Sequence, residues 1–228
     1  MTILGIETAT AVCGAAVTRD GRVVAEASVE QKNVHAEKLL GLIHSAMDEA
    51  GVALDELDGV AISIGPGSFT GLRIGLSVAK GLAYAASKPV VAVPTLKALA
   101  MRSFHAGNIE PSGFILAALD ARRDEVYCQL YGSNKTGLVP VWDARDMTVM
   151  ELMSGIGTRN VLLTGDAQSK ILAYPEASQG ITFVGEKLSR CDAGSVALLG
   201  QTLLEAGSTE DLATLEPRYI KDFFLKKQ

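Results

Sequence analysis

Cysteine is scarce: three residues, Cys13, Cys128 and Cys191, lie far apart and never in a CxxC pair. That excludes a disulfide framework and a zinc knuckle, and leaves three partly buried thiols in a reducing compartment as the expectation. Aromatic residues make up only 5% of the chain, with one tryptophan. The interior is therefore filled by Ala, Val, Leu and Ile, which suits α/β layers better than an aromatic-rich binding barrel. Positive charge is not in excess either. A formal net charge of -5 offers no basic face for phosphates, so the chain alone is not expected to be a strong nucleic-acid binder. No apolar run reaches membrane-spanning length, and the start Met-Thr-Ile-Leu-Gly-Ile-Glu lacks a basic and then long apolar leader, so a cytoplasmic location is expected. Phosphate-loop and dinucleotide glycine signatures, a GxSxG elbow, and HxxxH or HExxH pairs are all missing from the sequence.

What the chain does have is Gly65-Pro66-Gly67-Ser68-Phe69-Thr70-Gly71-Leu72-Arg73-Ile74-Gly75 after the apolar run Val60–Ile64. It reads as strand, tight turn and helix start. Gly65 and Gly67 supply turn backbone, and Ser68 or Thr70 caps the helix. The same free N–H groups offer a second reading, a site for an anion or a partner's carboxylate.

Residues 2–6, 13–18 and 23–29 read as three strands, with Asp20-Gly21 as a hairpin turn. From 33 to 50, Leu39, Leu42, Ile43, Ala46 and Met47 recur at three- and four-residue spacing on one helix face. A second helix over 70–87 carries the small residues Gly71, Gly75, Ala79 and Ala83, which let another helix approach closely. After a strand at 89–93 and a helix at 95–104, the link 105–112 is the expected division between lobes 1–105 and 106–228. The second half opens as the first does: a strand at 113–119, an acidic turn at Asp120, a strand at 125–131, a turn at 132–137 and a strand at 138–142. Helices at 147–154 and 193–206 and strands at 161–163 and 181–184 follow. The tail from about 212 is too apolar to be free and is expected to dock on the body. The doubled order predicts two similar α/β lobes.

Five strings then carry a resemblance: 65–75, Leu4–Thr10, His35–Leu40, Asp120–Tyr127 and Glu216-Pro-Arg-Tyr219. Together they resemble the bacterial TsaB (YeaZ) family from the first strand to the tail. The resemblance implies the actin-like, Hsp70-like (ASKHA) two-lobe fold. It also implies a scaffold role in placing a threonylcarbamoyl group on the adenosine next to the anticodon in tRNAs reading A-starting codons. In that role the chain would pair with its catalytic paralogue TsaD, help recruit the ATPase TsaE, meet tRNA only through the complex, and form a homodimer when alone. It would need no cofactor of its own, with ATP and metal held by TsaD and TsaE. Where the paralogue carries its histidine-rich metal motif, this chain reads Val93-Pro-Thr-Leu-Lys-Ala-Leu99, with no ligand type.

The expected partner interface is Leu39, Leu42, Ile43, Ala46, Met47, Leu72, Arg73, Leu76 and Lys80, although both stripes could instead face the chain's own sheet. The candidate anion or nucleotide contacts are Glu7, Thr8, Thr10, Gly65, Gly67, Ser68, Thr70, Asp120 and Arg122. Glu7 and Asp120 would be magnesium or acid/base carboxylates in that reading, and turn caps in the other. The rival function is a stand-alone actin-fold ATPase or small-molecule kinase.

Overall fold

Asp20 and Gly21 take φ of 53° and 75°, the paired left-handed residues that let β2 (Val12–Arg19) fold back onto β3 (Arg22–Glu30) with the twist of the strands. The computed structural model describes residues 1–107, 113–135, 137–174 and 180–221; most of the link 105–112 lies outside them. β1 (Thr2–Glu7), α1 (His35–Ala50), β4 (Gly59–Ser63), α2 (Phe69–Ala86), β5 (Val90–Val93) and α3 (Thr95–His105) complete the first half. The second half runs β6 (Phe114–Asp120), β7 (Glu125–Asn134), β8 (Gly137–Pro140), β9 (Arg145–Thr148), α4 (Val149–Ile156), β10 (Val161–Thr164), α5 (Gln168–Leu172), β11 (Ile181–Phe183) and α6 (Ala193–Glu205).

The first sheet has strand order β3-β2-β1-β4-β5 and the second β11-β10-β6-β7-β8, with β9 added beside β7. Reversing the second list superposes β6 on β1, β7 on β2 and β10 on β4. Each opening strand pairs antiparallel with its successor, β1 with β2 and β6 with β7. Each also pairs parallel with the strand after the next helix, β1 with β4 and β6 with β10. The doubled element order in the sequence is therefore a doubled topology.

Side-chain alternation along the central strands feeds both faces of each sheet. Leu4, Ile6, Val60 and Ile62 meet Leu39, Ile43, Leu76 and Ala79 of α1 and α2. On the reverse, Ile3, Ala61 and Val91 meet Val196, Ala197 and Leu199 of α6. In the second sheet Leu116, Leu130 and Leu163 meet Leu152 and Ile156 of α4 and Ile171 of α5. Its reverse face, through Ile115, Ala117 and Leu119, receives Leu96, Leu99 and Ala100 of α3. So each half lends its last helix to the other half's sheet, and α6, grouped with residues 106–228 on sequence, covers the first sheet.

Two segments differ from their sequence reading. Gly132–Asn134, expected as a turn, continues β7, because Phe114 pairs with Gly132 and the Ser133 N–H donates to the Gly113 carbonyl at 2.9 Å. The short polar run Arg145–Thr148 becomes β9 only through its pairing with Glu125–Cys128. The tail runs back over the first half: Leu215 is buried in the α1/α2 core, and the Arg218 N–H donates to the Ile64 carbonyl at 2.7 Å. Tyr219 stacks on Phe69 at 5.2 Å between centroids and accepts from Arg73 Nε at 2.9 Å.

Candidate functional site

The 65–75 string closes a joint and leaves no cradle. The Ser68 N–H donates to the Ala9 carbonyl at 2.7 Å, and Ser68 Oγ accepts from the Gly71 N–H at 3.2 Å, a side-chain N-cap. The start of α2 is pressed so closely on the β1–β2 turn that a Cβ at Gly67 would lie 2.2 Å from the Ala9 carbonyl oxygen. At Gly71 it would lie 2.2 Å from that of Thr8. Gly65 sits over the Arg218 carbonyl, 2.6 Å from where its Cβ would be. Ser68 and Thr70 are exposed at the helix start. These glycines are there because backbone meets backbone.

Around the cleft between the sheets, the turns that could have offered N–H groups to a phosphate are filled by the chain's own side chains. Glu7, fully buried, accepts from the Ala9 N–H at 2.5 Å, and Thr10 Oγ1 accepts from the Val12 N–H at 3.2 Å. At the corresponding turn after β6, Asp120 Oδ1 accepts from the Arg122 N–H at 2.6 Å and from Lys170 Nζ at 2.5 Å, while Arg122 and Arg123 hold φ of 70° and 50°. The Asp120 N–H itself donates to Asp166 Oδ1 at 2.8 Å. At the start of α6, Asp192 accepts from the Ser195 N–H at 2.7 Å and Glu26 from the Gly194 N–H at 3.3 Å.

Carboxyl groups thus occupy the anion positions at three turns, and an incoming phosphate would have to displace them. Their mutual proximity shows in their acidity. Burial, helped by Asp192, pushes Glu7 up to about 8, only partly offset by the Ala9 N–H and the Ser63 hydroxyl. Burial raises Asp166 and Glu26 as well. Glu7 Oε2 and Thr8 Oγ1 are buried without a hydrogen-bond partner. Among the described residues, no group of three or more His, Cys, Asp and Glu side chains is placed to hold a metal ion.

Asp166, Asp192 and Glu26 were not singled out on sequence. Asp192-Ala-Gly-Ser195 carries an N-cap signal, but nothing local says that Asp192 comes to lie beside Glu7 and Glu26, or Asp166 beside Asp120.

The expected interface residues need correction. Leu39, Ile43, Ala46, Leu72 and Leu76 are buried in the protein's own core, with Leu42 and Met47 half-buried against it. A stripe at three- and four-residue spacing is the face a helix turns to its sheet, and it cannot also face outward. Arg73 is exposed but stacks 3.8 Å over the Phe69 ring, and Lys80 is half-buried. The outer surface of these helices, which pack side by side, instead presents Leu40, 59% exposed, and Tyr84, 79% exposed. These are apolar residues out of phase with the stripe, and that phase break was the available signal.

Two lobes of one topology with exchanged helices and a cleft between them define an actin-like, ASKHA-type α/β protein. A solved activator of the 2-hydroxyisocaproyl-CoA dehydratase from Clostridium difficile shares that fold at a TM-score of 0.52 and 10% identity, over 91% of this chain and 97% of that one. The family model described as TsaD, tRNA N6-adenosine threonylcarbamoyltransferase, matches residues 22–222. The chain belongs to this family, on its TsaB (YeaZ) branch.

YeaZ from Pseudomonas aeruginosa superposes with a TM-score of 0.82 at 27% identity, over 96% of this chain and 99% of that one. The Escherichia coli tRNA threonylcarbamoyladenosine biosynthesis protein TsaB is 36% identical over 138 residues, 60% of this chain and 58% of that protein. The matched stretch thus spans under two thirds of the length of the curated relatives. The resemblance read from the five strings is borne out.

Proposed function

We propose that the protein is a non-catalytic cytoplasmic subunit of the tRNA threonylcarbamoylation machinery. It heterodimerises with TsaD, helps seat TsaE, and meets tRNA only within the complex. The observation that carries the non-catalytic part is the self-filled cleft, where Glu7, Asp120, Asp192 and Glu26 take the N–H groups a nucleotide would need. A net charge of -5 agrees with leaving tRNA to a partner. The helix pair α1 and α2 serves as the docking face through its outer surface around Leu40 and Tyr84, and in the absence of TsaD the same face pairs two copies.

Leu40→Glu and Tyr84→Glu are expected to weaken TsaD binding roughly ten-fold or more, as for anchors at an interface centre, with unchanged thermal midpoints. Leu76→Glu, only 6% exposed, is expected to unfold the chain. Copurification, calorimetry and a modification assay on unmodified tRNA with this subunit omitted check the proposal. Modification at full rate without it, or ATP turnover by the isolated chain that is lost on Asp120→Ala, would replace the scaffold reading with the ATPase one.

A further inference from the structure

Beneath the 65–75 turn lies a cavity of about 140 Å³ that the scaffold role does not use. Its walls come from the Gly65–Pro66 turn, the start of α3, the faces of β7 and β8, the loop at Asp143, and the tail at Arg218. Both lobes and the tail therefore meet around one space, large enough for on the order of ten water-sized volumes.

The chemistry of the wall is unlike that of the cleft. Lys97 and Arg218 bring two cations and Asp143 one carboxylate. Among the described residues, no hydrogen bond or ion pair engages any of these three head groups. The cleft carboxylates, by contrast, take turn N–H groups. The Arg218 guanidinium lies near enough to the buried Tyr131 phenol to oppose the rise that burial imposes on it, and both Arg218 and Asp143 line the space from its exposed rim. Tyr131 Oη donates to Gln129 Oε1 at 2.6 Å, which fixes the amide and leaves its N–H pair free to donate. Pro66 and Leu138 provide apolar wall. Convergent polar groups on a partly apolar wall are the usual make-up of a small-ligand site.

We infer that this cavity binds a small zwitterion of the α-amino-acid class, its carboxylate on Arg218 and Lys97, its ammonium on Asp143 and its apolar stem along Pro66 and Leu138. A carboxylate matches the planar fork of a guanidinium. The lone Asp143 disfavours a doubly charged anion and gives the ammonium its counterpart. The string Glu216-Pro-Arg-Tyr219 then has two tasks: Tyr219 pins the tail to α2 and Arg218 reaches the ligand.

The test is calorimetric titration of the full chain with L-leucine, 4-methylpentanoate and isoamylamine, which carry both charges, the carboxylate alone and the ammonium alone. Leucine is expected to saturate with a Kd of about 1 mM or tighter, with both analogues at least roughly ten-fold weaker. Arg218→Gln should weaken leucine by about ten-fold or more, with an unchanged thermal midpoint. Asp143→Asn should weaken leucine by about ten-fold or more without weakening 4-methylpentanoate, which has no ammonium to lose its counterpart. Failure of leucine to saturate at tens of millimolar, equal binding of all three probes, or indifference of leucine binding to both variants would overturn the inference.

Discussion

Alanine at Gly71 is expected to cost about 3 kcal/mol of folding stability, whereas alanine at Gly81 on the same helix is expected to add up to about 1 kcal/mol. Helix propensity alone predicts a gain at both, because glycine is the poorer helix former by that amount. The difference is what each Cβ meets. At Gly81 there is open space within 4 Å, while at Gly71 the Thr8 carbonyl oxygen would be 2.2 Å away. Neither side of that contact can give way cheaply. The helix start is fixed by the Ser68 N–H on the Ala9 carbonyl at 2.7 Å, and the turn is fixed by β1 pairing with both β2 and β4. Urea denaturation of the two variants measures this directly, and a gain of stability at Gly71 would mean the joint is looser than the structure shows. The same displacement would shift Glu7 and the start of α2 together, so binding of TsaD to a surviving Gly71→Ala protein should fall as well.

That joint illustrates how far the sequence is legible. The glycine-rich string is visible at once, and turn plus cap is one of its two readings. Glycine spacing alone cannot decide between a phosphate cradle and a backbone crossing, since both need the same missing Cβ. The decision comes from Ala9 and Thr8, which lie some 60 residues earlier in the chain. Local signals were reliable where the physics is local: Asp20-Gly21 at the hairpin, the spacing of Leu39, Ile43 and Ala46, and Gly51 ending α1 in a left-handed cap at φ 60°.

Direction was not legible. The apolar stripe of α1 says that one face is buried, but not that the sheet rather than a partner buries it. Nor could pattern show that α3 and α6 exchange sheets, because Leu96 or Val196 would satisfy either. The cleft acids Asp166 and Asp192 belong to the same class, as each looks like an ordinary turn or cap until the fold brings Asp192 beside Glu7 and Asp166 beside Asp120.

Glu7 should make the protein less stable as pH rises from about 4.5 to about 8. Burial lifts its carboxyl from an ordinary 4.5 to about 8 in the folded chain. The folded state therefore keeps a proton that the unfolded chain has released, and stability falls with pH across that window. The contribution is complete below the unfolded value and is lost as pH climbs through the folded one, on the order of 5 kcal/mol at most. Three features make the neutral form the better occupant: full burial, the Asp192 carboxylate nearby, and an Oε2 that no hydrogen bond engages.

Glu7→Gln keeps an acceptor for the Ala9 N–H and removes the titration. Denaturation at pH 5, 6.5 and 8 should therefore show the variant gaining on the parent by several kcal/mol toward pH 8, while the two stay close at pH 5. The difference between the proteins isolates Glu7 from Asp166 and Glu26, whose acidities burial also weakens. Parallel profiles would mean that Glu7 is ionised in the folded chain and needs a cation or water that offsets its charge. That result would reopen the cleft as a place for chemistry, since a buried carboxylate ionised at neutral pH is a cation or acid/base site, whereas a protonated one only closes its turn.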